Sequence, residues 1–294
     1  MDTRNPQPAP AASEHAANHP HGVVHRDEQY DSAWFEILLD MQARHFWYLG
    51  RHRFLLRAVR RHMAQHLPSR SPLTAIDLGG GCGGWVRYLH QQAPGLFAEL
   101  TLADSSPQAL EMAQQVVDPG VKREQIDLLR LPWGGGGRWD VAFLLDVLEH
   151  IPQDAAVLAQ IRQSLKPGGL LFVTTPALRF FWSYNDEIVH HVRRYSRADY
   201  RQLADAAGLE LLDSRYFMFL LSPLLLLSRW GGSGRKATGK SPEQVREILR
   251  RTHQVPWAPI NKVLRAIFSL ETPLGLGVRF PWGSSIVGVF RRPV

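Results

Sequence analysis

The chain has 294 residues, a formal charge of +7 at neutral pH, 45% hydrophobic residues and one cysteine, Cys82. A single cysteine excludes a disulfide framework and a thiolate zinc site, and fits a reducing, cytosolic setting. The length suits one α/β domain with decorations, and the basic balance suits anionic partners such as nucleic acid, phospholipid headgroups or phosphorylated substrates.

Residues 1–30 are rich in Pro, Ala, His and Asn and lack an apolar core, so they read as a disordered tail, not a signal peptide. Residues 31–70 form an N-terminal helical cap. Their helical periodicity carries the aromatics Trp34, Phe35, Phe46, Trp47, Tyr48 and Phe54, and Pro68 and Pro72 mark the boundary. Arg51, Arg53, Arg57, Arg60 and Arg61 are the densest basic patch and read as a solvated helix face.

From Leu73 short apolar runs alternate with helical stretches. Strands are expected at 73–78, 97–104, just before Asp127, at 139–146 and at 170–175, with helices from near Trp85, over 107–117 and over 155–165. Ser196 reads as the N-cap of a helix closed by Gly208, followed by a strand over 209–217. Residues 71–217 are therefore a core domain. Alternation of this kind predicts an α/β, Rossmann-like, doubly wound, mostly parallel seven-stranded sheet, with ligands beyond the carboxyl ends of its strands. Residues 218–283 read as an apolar and basic insertion or lid. It holds the apolar run Phe217 to Leu227, a Gly/Lys linker (231–240), a charged helix near 241–252 and Pro-rich turns, and 284–294 supply the last strand. The apolar run is too short to span a bilayer and is interrupted by Pro223, so it reads as a buried helix, a lid or a monotopic membrane contact.

The strongest local pattern is Asp77-Leu-Gly-Gly-Gly-Cys-Gly83 after the first strand. Gly79, Gly81 and Gly83 permit a tight turn that a ligand can approach closely. Gly81 and Gly84 also satisfy dinucleotide spacing, so spacing alone leaves NAD open. Asp77 ahead of the loop suits a ligand with an ammonium and an amino-acid backbone better than a pyrophosphate. Asp104, ending the second strand, is placed to accept from ribose hydroxyls, and Asp127 could meet an adenine amine.

Taken together, these residues, WDVAFLLDVLEHIPQD (139–154) and LKPGGLLFVTTP (165–176) resemble the class I S-adenosylmethionine (SAM) dependent methyltransferases, in order and spacing across 73–176. The resemblance implies SAM as cofactor, with Gly79, Gly81 and Gly83 along its methionyl part, Asp104 on the ribose, Asp127 at the adenine, and Asp77 and Asp146 completing the set. Cys82 departs from the small or Ser/Thr residue expected there. RHFWYLGRHRFL (44–55) and WSYNDEIVHHVRRYSRADYRQLADAAGL (182–209) are similar to segments flanking the SAM domain in a bacterial subgroup, the type 11/12-like proteins.

Methyl transfer needs alignment of the nucleophile with the methyl group and, where the acceptor is protonated, a base. His191 or His150 is the candidate base, Arg194 a candidate anion clamp, and Tyr195 a further catalytic candidate. Glu149 hydrogen-bonded to backbone and His150 packed beside SAM is the structural alternative. The set Asp146, Glu149, His150 is similar to the Glu-x-x-Glu-His of ubiquinone-pathway O-methyltransferases and small-RNA 3′-end methyltransferases. With His191 it implies a Mg²⁺-type site for a vicinal diol, catechol or ribose end. Phe46, Trp47, Tyr48, Trp182 and Tyr184, with Phe180 and Phe181, are candidates for an aromatic lid or for ordinary core. The expected acceptor is a small or lipid-linked molecule, methylated at a hydroxyl, with peripheral contact to the inner face of the membrane in view and no nucleic-acid partner expected. Alternatives are a cyclase or lyase that consumes SAM and releases methylthioadenosine, an RNA methyltransferase, and a NAD(P) oxidoreductase on the same fold.

Overall fold

The computed structural model describes residues 32–69, 71–130, 132–133, 136–230, 244, 247 and 254–294. Two helices precede the sheet. α1 (Ser32–Arg44) ends at His45, whose extended backbone (φ −71°, ψ 133°) and Nδ1, accepting from the Trp47 amide, start α2 (Phe46–His66). Strands β1 (Thr74–Leu78), β2 (Glu99–Asp104), β3 (Lys122–Gln125), β4 (Trp139–Leu145), β5 (Leu165–Pro176), β6 (Glu210–Phe217) and β7 (Ser285–Arg291) form one sheet in the order β3-β2-β1-β4-β5-β7-β6. The first five run parallel, and β7 is antiparallel to both β5 and β6. Strand order reverses between β1 and β4, which opens a crevice at their carboxyl ends.

Crossover helices α3 (Gly84–Gln92), α4 (Pro107–Gln114), α5 (Asp154–Ser164) and α7 (Arg197–Ala207) cover the sheet, and a short α6 (Tyr184–Ile188) precedes α7. Ser106 caps α4 through the Ala109 amide with Pro107 in its first turn, and Ser196 caps α7. Alternate strand residues feed two cores. Ile76, Leu78, Ala142 and Leu144 pack with Val157, Leu158 and Ile161 of α5 and with Tyr200 and Leu203 of α7. Ala75, Val141, Phe143 and Phe172 pack with Phe54 and Val59 of α2 and with Trp85 and Leu89 of α3. Each fully buried side chain contributes about 1.5–3 kcal/mol, which accounts for apolar residues on both faces of the parallel strands.

Beyond β6 the structure departs from the sequence reading. The apolar run splits: Phe217 ends β6, and Ser222 opens α8 (Ser222–Trp230). The stretch expected as Pro-rich turns holds α9 (Ala258–Gly277), twenty residues long, packed on α2 through Phe268 and Gly275. Pro259 falls in the first helical turn, where no donor is lost, and Pro273 sits on an exposed position. The tail 1–30, the linker 231–240 and nearly all of the charged helix expected near 241–252 lie outside the described residues. Among the described residues no helix is long and apolar enough to cross a membrane.

Candidate functional site

A cavity of about 490 Å³ lies at the carboxyl ends of β1, β2 and β4, roofed by α1, the start of α2, α6 and α8. Asp77, at the end of β1, is buried, and neither of its oxygens has a hydrogen-bond partner among the described residues. Burial pushes its carboxyl up to about 7, with Arg51 opposing and Asp104 adding to the rise. An ammonium brought to Asp77 would satisfy both oxygens. The loop after it admits such a ligand. Gly79 (φ 68°) and Gly81 (φ 56°) line the cavity in a left-handed backbone, and Gly80 between them lines it where a Cβ would collide with Asp77 and Leu102. Gly83 does not line the cavity. It is the left-handed N-cap of α3, where a Cβ would strike Val117. Cys82 points away from the ligand side, buried beside the Phe35 carbonyl.

Asp104 accepts the Gly81 amide at 2.8 Å on one oxygen and the Ser106 amide at 2.9 Å on the other. A carboxylate oxygen can accept more than one bond, so Asp104, on the cavity wall, can still receive hydroxyls. The N-cap of the following helix is Ser106, which leaves Asp104 facing the cavity. Asp127 also lines the cavity and is held by the Leu129 amide at 2.9 Å. These carboxylates and the glycine turn fit SAM, whose ammonium and ribose hydroxyls are donors for them.

Asp146 follows β4 with φ 56°, an uncommon conformation for a non-glycine residue, and its carboxylate pairs with Arg51. Arg51 corrects the reading of its patch as solvated. It is 5% exposed, lies 5.0 Å from the Trp47 ring and 5.4 Å from the Tyr48 ring, and lines the cavity. Arg57, Arg60 and Arg61 are exposed as expected.

Beyond β4 a turn brings Glu149 and His150 against His191, with ligand atoms of all three within 4.8 Å of one another. Asp146 is not in this group, because Arg51 holds it. Glu149 is fully buried, with one oxygen 3.8 Å from His191 Nε2 and its carboxylate turned back on its own backbone amide. Burial pushes its carboxyl up to about 8, against Arg51 and Arg194. Burial and the neighbouring His191 and His190 push His150 down to about 3, so its imidazole is neutral at physiological pH. The two imidazoles meet edge to face with centroids 4.8 Å apart.

His191 is aimed by a residue that the sequence reading passed over. Asp186 binds His191 Nδ1 at 2.9 Å and receives Arg194 on both oxygens, at 2.8 and 3.1 Å. Burial opposes ionisation of Asp186, but His191 and Arg194 outweigh it and hold the carboxyl well below the usual range. The available signal was Ser183 three residues earlier, whose amide and hydroxyl both bind the Asp186 carboxylate. Arg194 is thus committed to Asp186 and the Ala177 carbonyl, not to an anion. Tyr195 is corrected too. It is buried outside the cavity lining, its hydroxyl donates to Asp154 at 2.9 Å, and burial raises its pKa. Of the lid candidates, Phe46, Trp47 and Tyr48 line the cavity; Trp182, Tyr184, Phe180 and Phe181 do not. Met218 and Leu225 add an aliphatic wall.

Residues 39–214 match the family model described as "Methyltransferase domain". The ubiquinone biosynthesis O-methyltransferase of Paraburkholderia phytofirmans is 34% identical over 105 residues, 35% of this chain and 44% of that protein. The trans-aconitate 2-methyltransferase of Azoarcus sp. is 32% identical over 121 residues, 40% of this chain and 46% of that protein. The chain thus spans under half the length of these relatives. A chain in the complex of the Haloferax volcanii Trm112 methyltransferase activator with its candidate methyltransferase superposes with a TM-score of 0.55 at 18% identity, covering 91% of this chain and 97% of that one. That likeness concerns the fold. With the matched family model spanning more than half of its length, the chain belongs to the methyltransferase-domain family, among the class I SAM-dependent methyltransferases.

Proposed function

We propose that the chain transfers the methyl group of SAM to a hydroxyl oxygen of a small acceptor with an apolar body. The observation that carries this reading is one cavity bounded both by the polar set Asp77, Asp104 and Asp127 and by the Glu149, His150, His191 group, with Phe46, Trp47, Met218 and Leu225 around it. In this reading Asp77 takes the ammonium of SAM, Asp104 its ribose hydroxyls and Asp127 its adenine amine. The acceptor oxygen attacks the methyl carbon in line, the carbon–sulfur bond breaks, and its electron pair stays on sulfur. His191 Nε2 takes the acceptor proton, while Asp186 on Nδ1 fixes the tautomer and stabilises the imidazolium that forms.

A second reading has its own observation. Two imidazoles and a buried carboxylate with ligand atoms within 4.8 Å of one another fit a divalent cation. Two nitrogen ligands favour Mn²⁺ or Zn²⁺ over the Mg²⁺ expected from sequence. Such an ion, when bound, lowers the pKa of a ligated acceptor hydroxyl, and adjacent hydroxyls would then be preferred. The test is methyl transfer to catechols, vicinal diols and an RNA 3′ end, with and without chelator. His191→Ala should lower kcat by about 10²–10⁴-fold while SAM affinity stays near wild type. Unchanged turnover would remove His191 from the chemistry. Loss of turnover in chelator, restored by Mn²⁺ or Zn²⁺, selects the second reading.

A further inference from the structure

α9 is apolar on two faces. Leu264, Phe268 and Gly275 turn toward α2, whereas Ile260, Val263, Leu270 and Leu274, spaced at helical intervals, are each more than half exposed. A helix of this length runs about 30 Å, so the stripe is long. α8 extends it. Leu224 and Leu227 share one face of α8 and are 54% and 61% exposed, and Leu220, in the turn before it, is 42% exposed. The two surfaces meet at Glu271, buried beside Leu270 in sequence, whose Oε2 accepts the Leu220 amide at 2.9 Å. A contiguous apolar surface of this kind marks an interaction site.

Charge identifies the partner. Among the described residues, α2 and α9 expose five cations, Arg57, Arg60, Arg61, Lys262 and Arg265, while the one acidic residue of α2, α8 and α9, Glu271, is buried. Arg53 of α2 donates to Ser269 and Arg61 to the Leu276 carbonyl, which sets the arginine row of α2 along α9. Lys262 and Arg265 of α9 and Arg57 and Arg61 of α2 are exposed. On a helical wheel Lys262 falls to the side of the stripe and Arg265 on the face opposite it, so the leucines stay clear and the cations lie on one flank of the helix. An apolar face bordered by cations is the arrangement that lies in an anionic bilayer interface. A two-fold pair of chains through this surface would bring basic borders together with no exposed acidic group on these helices to receive them.

We propose that α8 and α9 form a monotopic docking surface for anionic lipid bilayers. The surface adjoins the cavity at both ends. Leu225 of α8 lines the cavity, and Asn261 of α9 binds the Phe46 amide at 2.9 Å and the Arg44 carbonyl at 2.9 Å. Docking there delivers the cavity wall to the membrane, where an apolar acceptor resides. That last link rests on the acceptor reading above; the docking surface does not.

The test is co-sedimentation of the full chain with phosphatidylcholine vesicles, with and without phosphatidylglycerol. The wild type should bind the anionic vesicles, and salt should weaken binding. Leu270→Glu with Leu274→Glu should lower partitioning at least tenfold, and Arg57→Gln with Arg61→Gln about fivefold per cation. Both variants should keep wild-type SAM affinity, which reports their folding. No binding of wild type to anionic vesicles, or equal binding by both variants, overturns the proposal. So does a stable dimer that the double leucine variant converts to monomer, which would assign the surface to a second copy. Methyl transfer to a water-soluble acceptor without vesicles is read separately, so the acceptor reading and the docking surface fail independently.

Discussion

At the scale of single residues, the site is organised by carboxylates in unequal surroundings. Asp104 is fixed by two backbone amides, so Asp104→Ala removes the proposed ribose acceptor and leaves the Gly81 and Ser106 amides unsatisfied. SAM affinity should fall roughly 100-fold by calorimetry; near-wild-type affinity would remove Asp104 from the cofactor contacts. Asp77 behaves differently, because burial and Asp104 raise its pKa to about 7 while Arg51 restrains the rise. A folded-state pKa above the unfolded value of 3.8 means that this group's contribution to stability is present in acid and is lost as pH rises through about 7. The melting temperature of the ligand-free protein should therefore lose this contribution between pH 4 and pH 7. An ammonium needs the ionised carboxylate, so SAM affinity should rise about tenfold from pH 5.5 to pH 7, a range in which an α-amino group stays protonated. Asp77→Asn should flatten that profile; an unchanged profile would assign it to another group.

At the scale of elements, the parallel core was legible because its central strands β1, β2, β4 and β5 are apolar runs, whereas the edge strand β3 (KREQ) is polar. Asp77 and Asp104 end β1 and β2, and both reach the cavity as expected. Legibility failed where tertiary packing reversed a local signal. Arg51 sits in an arginine row that reads as solvated, yet Trp47 and Tyr48, one turn earlier, cover its guanidinium and Asp146 neutralises it. Pro259 and Pro273 hid α9, since neither occupies a position where the ring breaks the packing against α2. The sequence reading passes over Asp186, since the capping signal in Ser183 is local and says nothing of the bond by which the same carboxylate aims His191. The α2–α9 contact itself turns on Gly50, where an added Cβ would enter the Phe268 ring. Gly50→Ala should destabilise the protein by about 1–3 kcal/mol, read as a drop of several degrees in melting temperature. An unchanged melting temperature would mean that α9 shifts freely on α2.

At the scale of the whole molecule, the reversal of strand order between β1 and β4 sets one crevice, and the helices outside the sheet decide what else enters it. The sheet supplies Asp77, Asp104 and the glycine turn; α1, α2 and α8 supply the aromatic and aliphatic roof, and α6 adds Asn185 and Asp186. This division accounts for a family membership that is read from the core, while the acceptor proposed above depends on the added helices. The most direct test follows every SAM-derived product by mass spectrometry after incubation with and without an alkyl-substituted catechol, in the presence and absence of EDTA. The account predicts that SAM stays intact alone, and that the acceptor brings S-adenosylhomocysteine and its own O-methyl derivative in equal amounts. Conversion of SAM alone to methylthioadenosine and a new amino-acid product would contradict it, placing the reaction within SAM itself.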